Sequence, residues 1–331
     1  MHKIQIKTYS QAYQIKHFEF ARKYWRKKVR KNHQYILWKF QLHNPENHTF
    51  LIALYNEEII GQLGLVPVHI FHKGNIVKGF WFCDLMVDKN FRGRGVAKML
   101  YDYGIKMNKG IFLGSDPSPA AEKSMIRYGF HLTDCGNKYL LPVDLIRTIK
   151  IKWEGFPTIF KKFPNFLMNS GLKIKNPEKN FHPTRLQDLP DHFQQARDQQ
   201  ASYQIKDKRF LEWRFHQRPL HQDTYYIYQS RHSSIRVLFY IAGEDLQLIE
   251  LDNQDTQLTE TIKLAYKIAR DQRLRSVRII RKEPFRNTLP LYMALFMIKM
   301  KTPVKILYLN KWSPREKMSF QYSPLDSDEN I

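Results

Sequence analysis

The segment 81–103 most constrains the fold, because a strand pattern, a glycine-rich basic turn and a helix pattern follow one another in it. Its first seven residues, Trp81 to Val87, are mostly aromatic, apolar or β-branched, which is typical of a buried strand. The turn reads Arg92-Gly93-Arg94-Gly95, and after it the apolar residues take a helical spacing, at Met99, Leu100, Tyr103 and Met107. Glycines let the backbone turn sharply, and the first N–H groups of a helix attract anions. The segment therefore predicts an anion site, and the two arginines favour a pyrophosphate.

The turn and its flanks carry a family resemblance. Arg92, Gly95 and Ala97 match the Arg/Gln-x-x-Gly-x-Gly/Ala motif, and the segment resembles the acyl-CoA site of the GNAT N-acetyltransferase superfamily. Leu85-Met86-Val87-Asp88 is similar to the family's splayed central strand, and Arg127-Tyr128-Gly129-Phe130 to its closing signature. A solvated turn, or a basic loop that touches nucleic acid, would be the alternative for Arg-Gly-Arg-Gly alone, but the flanking patterns favour acyl-CoA.

The resemblance implies acetyl-CoA as the acyl donor and no metal. It implies that two groups of residues bind the donor. The first group is the end of the central strand together with the turn after it, and the second is one serine in a later strand. They are Leu85, Met86, Val87, Arg92, Gly93, Arg94, Gly95, Val96, Ala97 and Ser115.

Length and charge limit the function classes. The chain has 331 residues, 43% of them hydrophobic, which is enough for two ordinary cores and argues against disorder. Lys and Arg outnumber Asp and Glu by 54 to 31, and the net charge of +23 favours anionic partners. These include the CoA phosphates, a phosphorylated or nucleotide-linked acceptor, an anionic membrane and nucleic acid. Charge alone is a non-specific argument, so we do not expect nucleic acid as a partner.

Two cysteines, Cys83 and Cys135, cannot build a disulfide framework, and neither has a metal-ligand spacing. The N-terminal sequence alternates like a strand and lacks the apolar core of a signal peptide, and no run of about 18 apolar residues occurs. We therefore expect a soluble cytoplasmic protein; its oligomeric state stays open.

The elements before the turn predict a meander of antiparallel strands, which argues against the βαβ setting of an NAD site. A basic helix is expected over 11–31, either as a solvated face or as a border of the acceptor cleft. After the turn we expect a strand at 111–114, a helix from Pro119 to about Tyr128, and two strands within 130–143.

The second half of the chain repeats the first. Tyr35-Ile36-Leu37-Trp38-Lys39-Phe40 and Phe210-Leu211-Glu212-Trp213-Arg214-Phe215 share the order of aromatic, aliphatic, Trp, basic and Phe residues, each followed by a proline and a strand. A later helix, from about 256 to 270, has Leu258, Ile262, Ala265 and Ala269 on one face. We therefore predict a mixed α/β (α+β) fold of two tandem GNAT-like domains, each a mostly antiparallel mixed sheet flanked by helices.

The two halves differ at the anion site. The second half has Leu251-Asp252-Asn253-Gln254-Asp255 between strand and helix, with no glycine and two carboxylates that would repel a pyrophosphate. We expect a catalytic domain over 1–145, a basic and aromatic connector over 146–180, a degenerate GNAT-like domain over 181–322, and a flexible tail over 323–331. The connector either packs on one domain or touches an anionic membrane or single-stranded nucleic acid.

Direct transfer to an amine needs a base, a donor for the carbonyl oxygen and a proton for the leaving thiolate. The resemblance assigns the amine anchor or base to Asp84, for which a structural carboxylate inside the sheet is the alternative. Ser124 and Ser115 are candidates for contacting the pantetheine arm or routing a water. Many members have an acidic tyrosine four residues before the glycine of the closing signature, and Met125 occupies that place here.

The sequence thus predicts an acyl-CoA-dependent N-acyltransferase that acts on a primary amine of a small, anionic acceptor, such as an amino sugar or an amino acid derivative. Two alternatives stay open: a GNAT-like binding module with little or no turnover, and an aminoacyltransferase of cell-envelope synthesis similar to the Fem proteins.

Overall fold

The structure is a computed structural model that describes residues 3–24, 32–43, 47–144, 147, 179–191, 202–219, 223–250, 257–281, 297–311 and 317–322. The basic segment 25–31, most of the connector 146–180, the turn 251–255 and the tail 323–331 lie outside the described residues.

Fourteen strands of the described residues form one sheet. In the first half they are β1 (Gln5–Thr8), β2 (Phe50–Tyr55), β3 (Glu58–His72), β4 (Asn75–Val87), β5 (Ile111–Ser115) and β6 (His131–Pro142). In the second half they are β7 (Phe181–Pro183), β8 (Ser202–Gln204), β9 (Tyr225–Ser230), β10 (Arg236–Ala242), β11 (Asp245–Glu250), β12 (Ser276–Arg281), β13 (Ile298–Asn310) and β14 (Phe320–Gln321).

The helices flank this sheet. They are α1 (Gln14–Ala21), α2 (His33–Lys39), α3 (Val96–Met107), α4 (Pro119–Tyr128), α5 (Lys208–Leu211), which continues into a π-helical turn (Glu212–His216), and α6 (Leu258–Asp271). The mixed α/β fold expected from the sequence is confirmed. No helix in the described part of the chain combines the length and the apolar character that a membrane crossing needs.

Local sequence explains the boundaries of the helix that follows β5. Ser118 caps α4 by accepting a hydrogen bond from the Ala121 N–H at 3.3 Å, and Pro119 takes the first helical position. The helix ends at Gly129, whose φ of 110° is left-handed. The predicted bounds of α4 are therefore confirmed. On α6 the predicted face is also confirmed, since all four of its named residues are buried.

The structure differs from the predicted strands in two places. The segment 130–143 forms one long strand, β6, rather than two, and Gly136 continues it with a φ of 119°. The strand β13 was not predicted. Its sequence, Ile298 to Asn310, mixes lysines with apolar residues, so no regular strand pattern marks it. It pairs on both edges inside the sheet, and its pairing with β6 is interrupted by register shifts near Pro303.

The strand order of the sheet is palindromic. If β1 to β6 of the first half are matched in turn with β7, β9, β10, β11, β12 and β13 of the second half, the order is the same from either end. The order is β1-β2-β3-β4-β5-β13-β6-β12-β11-β10-β9-β7, with β8 attached to β3 and β14 to β8. β13 therefore lies between β5 and β6, and β6 lies between β12 and β13. Each half contributes its last long strand to the sheet of the other.

The core lies on both faces of this sheet. Successive residues of β4 alternate between two apolar clusters: Phe80 and Phe82 pack with α3 and α4, whereas Trp81 and Cys83 pack with α1 and α2. A third cluster is built around α6 in the second half. The central strand β4 is thus covered on both sides, and the site residues at its end are held by two packed layers.

Candidate functional site

The two central strands of the first half separate in the middle of the sheet. β4 and β5 are parallel and pair only at Gly79↔Ile111, Phe80↔Phe112 and Trp81↔Leu113. Beyond Trp81, β4 stays paired with β3 as far as Val87, and β5 stays paired with β13 as far as Ser115. Their facing edges, 82–87 on β4 and 114–115 on β5, therefore border a wedge-shaped gap with backbone groups available to a ligand.

A β-bulge changes the direction of β4 where the gap opens. The pairing of β3 and β4 shifts between Gln62↔Met86 and Gly64↔Cys83, so that Asp84 and Leu85 oppose a single residue of β3. Asp84 adopts a left-handed φ of 53°, which is uncommon for a residue with a Cβ. Such strain persists only where surrounding contacts hold it.

Those contacts are a chain of buried polar groups. Lys39 Nζ donates to Asp84 Oδ2 at 2.7 Å, with side chains that are 0% and 6% exposed. The Gln62 amide donates to the Asp84 carbonyl at 3.1 Å, and Gln62 Oε1 accepts from His17 Nε2 at 3.0 Å. Residues from α1, α2 and β3 thus fix the backbone of the bulge.

The turn after β4 has the geometry of an anion cradle. Gly93 and Gly95 both have a φ of 78°, and Gly95 is the N-cap of α3. Met99 donates to the Gly95 carbonyl at 3.0 Å, so the N–H groups of Val96, Ala97 and Lys98 precede the first helical bond and stay open to an anion. A Cβ at Gly95 would meet nothing within 4 Å, which shows that the space above this turn is empty of protein.

Both arginines of the turn are exposed. Arg92 Nε donates to the Val87 carbonyl at 3.3 Å, and the Arg94 guanidinium lies 5.2 Å from the ring centre of Phe91. Among the described residues neither has an acidic partner. Their charge is therefore available to phosphate oxygens.

The structure brings the predicted donor residues together along one path. Leu85, Met86 and Val87 border the gap, the turn follows directly, and Ser115 ends β5 on the other side of the gap. Gly61 allows β3, the end of β4 and the start of α3 to lie close together, because a Cβ there would lie 3.1 Å from the Met86 carbonyl oxygen and from Val96 Cγ1.

The two predicted catalytic side chains lie on opposite faces of the sheet. Asp84 is paired with Lys39 of α2, whereas Ser124 hydrogen-bonds to Tyr101 of α3. Burial raises the pKa of Tyr101 to about 12. Met125 is 4% exposed and packs over Gly114, where a Cβ would lie 2.6 Å from Met125 Cε. Tyr128 donates to Asp102 at 2.8 Å, and its pKa is raised by burial and by that carboxylate.

Sequence reasoning missed the buried partners of Asp84, namely Lys39 and Gln62, and the bond of His17 to Gln62. A signal for one of them existed. The basic position of the repeated motif, Lys39 in the first copy and Arg214 in the second, is buried in both, and each pairs with an aspartate: Arg214 Nη1 lies 2.7 Å from Asp223 Oδ2.

Comparison with known proteins agrees with this geometry. Residues 9–118 match the model of the Acetyltransferase (GNAT) family. A third of the chain thus matches a GNAT domain. The match includes the gap, the bulge and the glycine turn, and it ends before α4.

Solved structures extend the likeness beyond the GNAT domain. A GCN5-related N-acetyltransferase from Kribbella flavida is 11% identical and has a TM-score of 0.57, with 93% of this chain and 72% of that chain covered. One from Anabaena variabilis has a TM-score of 0.56 at 12% identity and the same coverage. An N-myristoyltransferase from Saccharomyces cerevisiae with bound myristoyl-CoA has a TM-score of 0.60 at 12% identity, with coverage of 99% and 83%. These likenesses show the fold; no curated protein matches the chain in sequence.

Proposed function

We propose that the chain is an acyl-CoA-dependent N-acyltransferase that uses acetyl-CoA and transfers the acetyl group directly to a primary amine. The observation that carries the proposal is the gap between β4 and β5, which leads into a turn with two left-handed glycines and open helix N–H groups. A long, flexible thioester with a pyrophosphate at one end fits a gap of this kind. The pyrophosphate lies at Arg92 to Ala97, and the pantetheine arm follows the free edge of β4 at Leu85 to Val87.

The packing around the gap supports a short acyl group. At the vertex, Trp81 is 2% and Leu113 0% exposed, and Met125 fills the space over Gly114. The vertex is therefore filled by protein side chains, and we propose that the space left beside it suits a short acyl group.

The transfer forms a C–N bond and breaks the C–S bond of the thioester. The amine proton leaves to a base or a water, and the CoA thiolate takes up a proton. We propose one of two roles for the carboxylate of Asp84. It either acts on the amine directly or holds the backbone of β4 along which the amine is aligned. Ser115, at the end of β5, and Ser124, in α4, are the hydroxyl groups proposed for the thiolate side.

The acceptor is proposed to be a small, anionic amine, such as an amino sugar or an amino acid derivative, because the net charge of +23 favours anions. The two cysteines, Cys83 and Cys135, are buried and form no disulfide, and on this ground we propose a reducing, cytoplasmic location.

A GNAT-like binding module is the second candidate, and one observation favours it. The place of the expected acidic tyrosine holds the buried thioether of Met125, and Tyr128 is bonded to Asp102. Such a module would bind acetyl-CoA and release no CoA thiol in the presence of any amine.

The donor site is tested by the thermal shift that acetyl-CoA causes. Gly95→Glu places a carboxylate in the open space of the turn and should abolish the shift. Gly74→Glu is the matched control, because Gly74 has a φ of 79°, has nothing within 4 Å of its Cβ position and lies in the β3–β4 hairpin. Both variants should lose about 1 kcal/mol of stability. Equal acetyl-CoA shifts in both variants would contradict the donor site.

Turnover is tested by the release of CoA thiol with a panel of amino sugars, amino acids and polyamines. If the protein is an enzyme, it should release CoA thiol with at least one amine, and the Gly95→Glu variant should release none. Binding without release supports the module. A thermal shift with myristoyl-CoA that exceeds the shift with acetyl-CoA would contradict the short acyl group.

A further inference from the structure

A cleft of about 930 Å³ lies between the two halves of the chain, away from the donor gap. Its walls come from α2 and the segment after it, from the β3–β4 hairpin strands, from the end of α3, and from the segment 205–219 that includes α5 and the π-helical turn. This volume is within the range of ligand sites, which is roughly 300–1,000 Å³.

The cleft is separate from the proposed donor site. It contacts β4 at Gly79 and Phe80, which are paired with β5, and at Lys78 just before them, whereas the donor gap opens only beyond Trp81. None of the residues assigned to the donor or to catalysis lines it.

Three cations border the cleft. Lys78, Lys109 and Arg209 are exposed, and none of them has an acidic partner among the described residues. Among the described residues that line the cleft, one has an acidic side chain, Asp207, and this carboxylate already accepts a hydrogen bond from the Phe210 N–H at 2.8 Å as the cap of α5. The uncompensated charge favours a ligand with a multiply charged anionic group.

The rest of the lining suits a hydroxylated ring. The side-chain amides of Gln34 and Gln217 have no hydrogen-bond partner in the described part of the chain, and an amide both donates and accepts, as a hydroxyl group does. An aromatic floor is formed by the half-buried Phe210 together with the small exposed parts of Trp38 and Trp213, which are 5% and 9% exposed. Trp38 and Trp213 are held rigidly, with ring centres 5.1 Å apart and reciprocal hydrogen bonds from each indole N–H to the other's carbonyl at 2.9 and 3.1 Å.

We propose that this cleft is a binding site for a phosphorylated sugar. The phosphate binds to Lys78, Lys109 and Arg209 at the mouth, the ring hydroxyls bind to Gln34 and Gln217, and the apolar face of the ring lies on the aromatic floor. The site stands whether or not the donor gap transfers an acyl group.

The binding is measured by calorimetry and by tryptophan fluorescence, since two of the six tryptophans line the cleft. The probes are glucose 6-phosphate, glucose 1-phosphate and glucosamine 6-phosphate, compared with glucose, inorganic phosphate and AMP. At least one sugar phosphate should bind about tenfold more tightly than glucose or phosphate alone. The triple variant Lys78→Gln, Lys109→Gln, Arg209→Gln should lose about tenfold or more in affinity and keep the acetyl-CoA thermal shift.

Matched variants locate the site. Lys109→Gln should weaken binding, and Lys106→Gln, an exposed lysine of α3 that does not line the cleft, should leave it unchanged. Loss of sugar phosphate binding in Gly95→Glu would place the anion at the glycine turn and overturn the proposal. The proposal also fails if no sugar phosphate binds at about 10 mM, the upper end of weak ligand affinities, or if AMP or phosphate binds as tightly as the sugar phosphates.

Discussion

At the residue scale, His17 links the helix α1 to the strained bulge of β4. Its side chain is 0% exposed, Nε2 bonds to Gln62, and Nδ1 has no partner among the described residues. Burial disfavours the charged form and lowers the pKa of His17 to about 4. The neutral imidazole, with its proton on Nε2, is therefore the form that fits the folded protein.

This histidine predicts a pH dependence of stability. The folded pKa of about 4 lies below the usual 6.5, so the unfolded chain takes up a proton first as the pH falls. The stability is fully present above about pH 6.5 and is lost as the pH falls toward 4, with a loss of about 2 kcal/mol by pH 5.

Urea unfolding at pH 7 and pH 5 measures this effect. His17→Gln keeps a donor for Gln62 but cannot titrate, so its free energy of unfolding should fall by about 2 kcal/mol less than that of the wild type. His232→Gln, at an exposed position, should behave as the wild type. An equal fall in the wild type and in His17→Gln would show that His17 is not the group responsible.

At the scale of elements, the ion pair between α2 and the bulge of β4 holds the donor gap open at its start. Asp84→Asn leaves the buried Lys39 ammonium without its carboxylate and should cost about 3 kcal/mol of stability. Replacing both partners, as Lys39→Met with Asp84→Asn, should restore much of this loss, because no charge is then buried. Chemical denaturation of the four proteins of this cycle gives the coupling energy.

The second half offers the control for this cycle. Asp223→Asn removes the carboxylate that the buried arginines Arg214 and Arg218 share, so it should destabilise the protein by at least about 3 kcal/mol. It should leave the acetyl-CoA shift unchanged. If stability and thiol release recover together in the Lys39/Asp84 double variant, Asp84 only holds the bulge; if stability alone recovers, the carboxylate acts on the amine.

The backbone of the glycine turn could be predicted from sequence because its signals are local. Glycines at 93 and 95, the strand before them and the helix after them determine the backbone within one segment. The bulge and its buried partners could not be predicted in this way. Lys39 and Asp84 are separated by 45 positions, and a basic helix residue next to an aromatic one is usually exposed.

The same limit applies to β13 and to the cleft. β13 pairs with β5 and β6, which precede it by more than 150 residues, so no local pattern marks its partners. The cleft combines residues from both halves, and its three cations are scattered through the sequence at 78, 109 and 209. The repeated motif was the only long-range signal in the sequence that pointed to this region, since Trp38 and Trp213 line the cleft together.

At the scale of the whole molecule, the palindromic strand order supports our proposal that the two halves are duplicated GNAT-like domains, with the boundaries 1–145 and 181–322. Trp38 and Trp213, the equivalent residues of the repeat, stack on each other and bond reciprocally. The two parallel strand pairs, β4 with β5 and β11 with β12, also occupy equivalent places. The halves are joined most closely where β6 and β13 cross over.

This exchange of strands predicts that neither half folds alone. Without β13, the fragment 1–145 would expose the inner edge of β5 and apolar contacts that Ile306, Leu307 and Tyr308 cover in the full chain. We expect 1–145 expressed by itself to be unfolded or aggregated, and to give no thermal shift with acetyl-CoA.

Fragments 1–160 and 161–331 expressed together should associate and recover the shift, because the sheet contacts do not require a continuous connector. The matched control is the full chain cut at a protease site inserted at 160, which should stay associated and unfold in one transition. A folded, acetyl-CoA-binding 1–145 fragment would show instead that the GNAT domain is independent and that the shared strands are an addition to it.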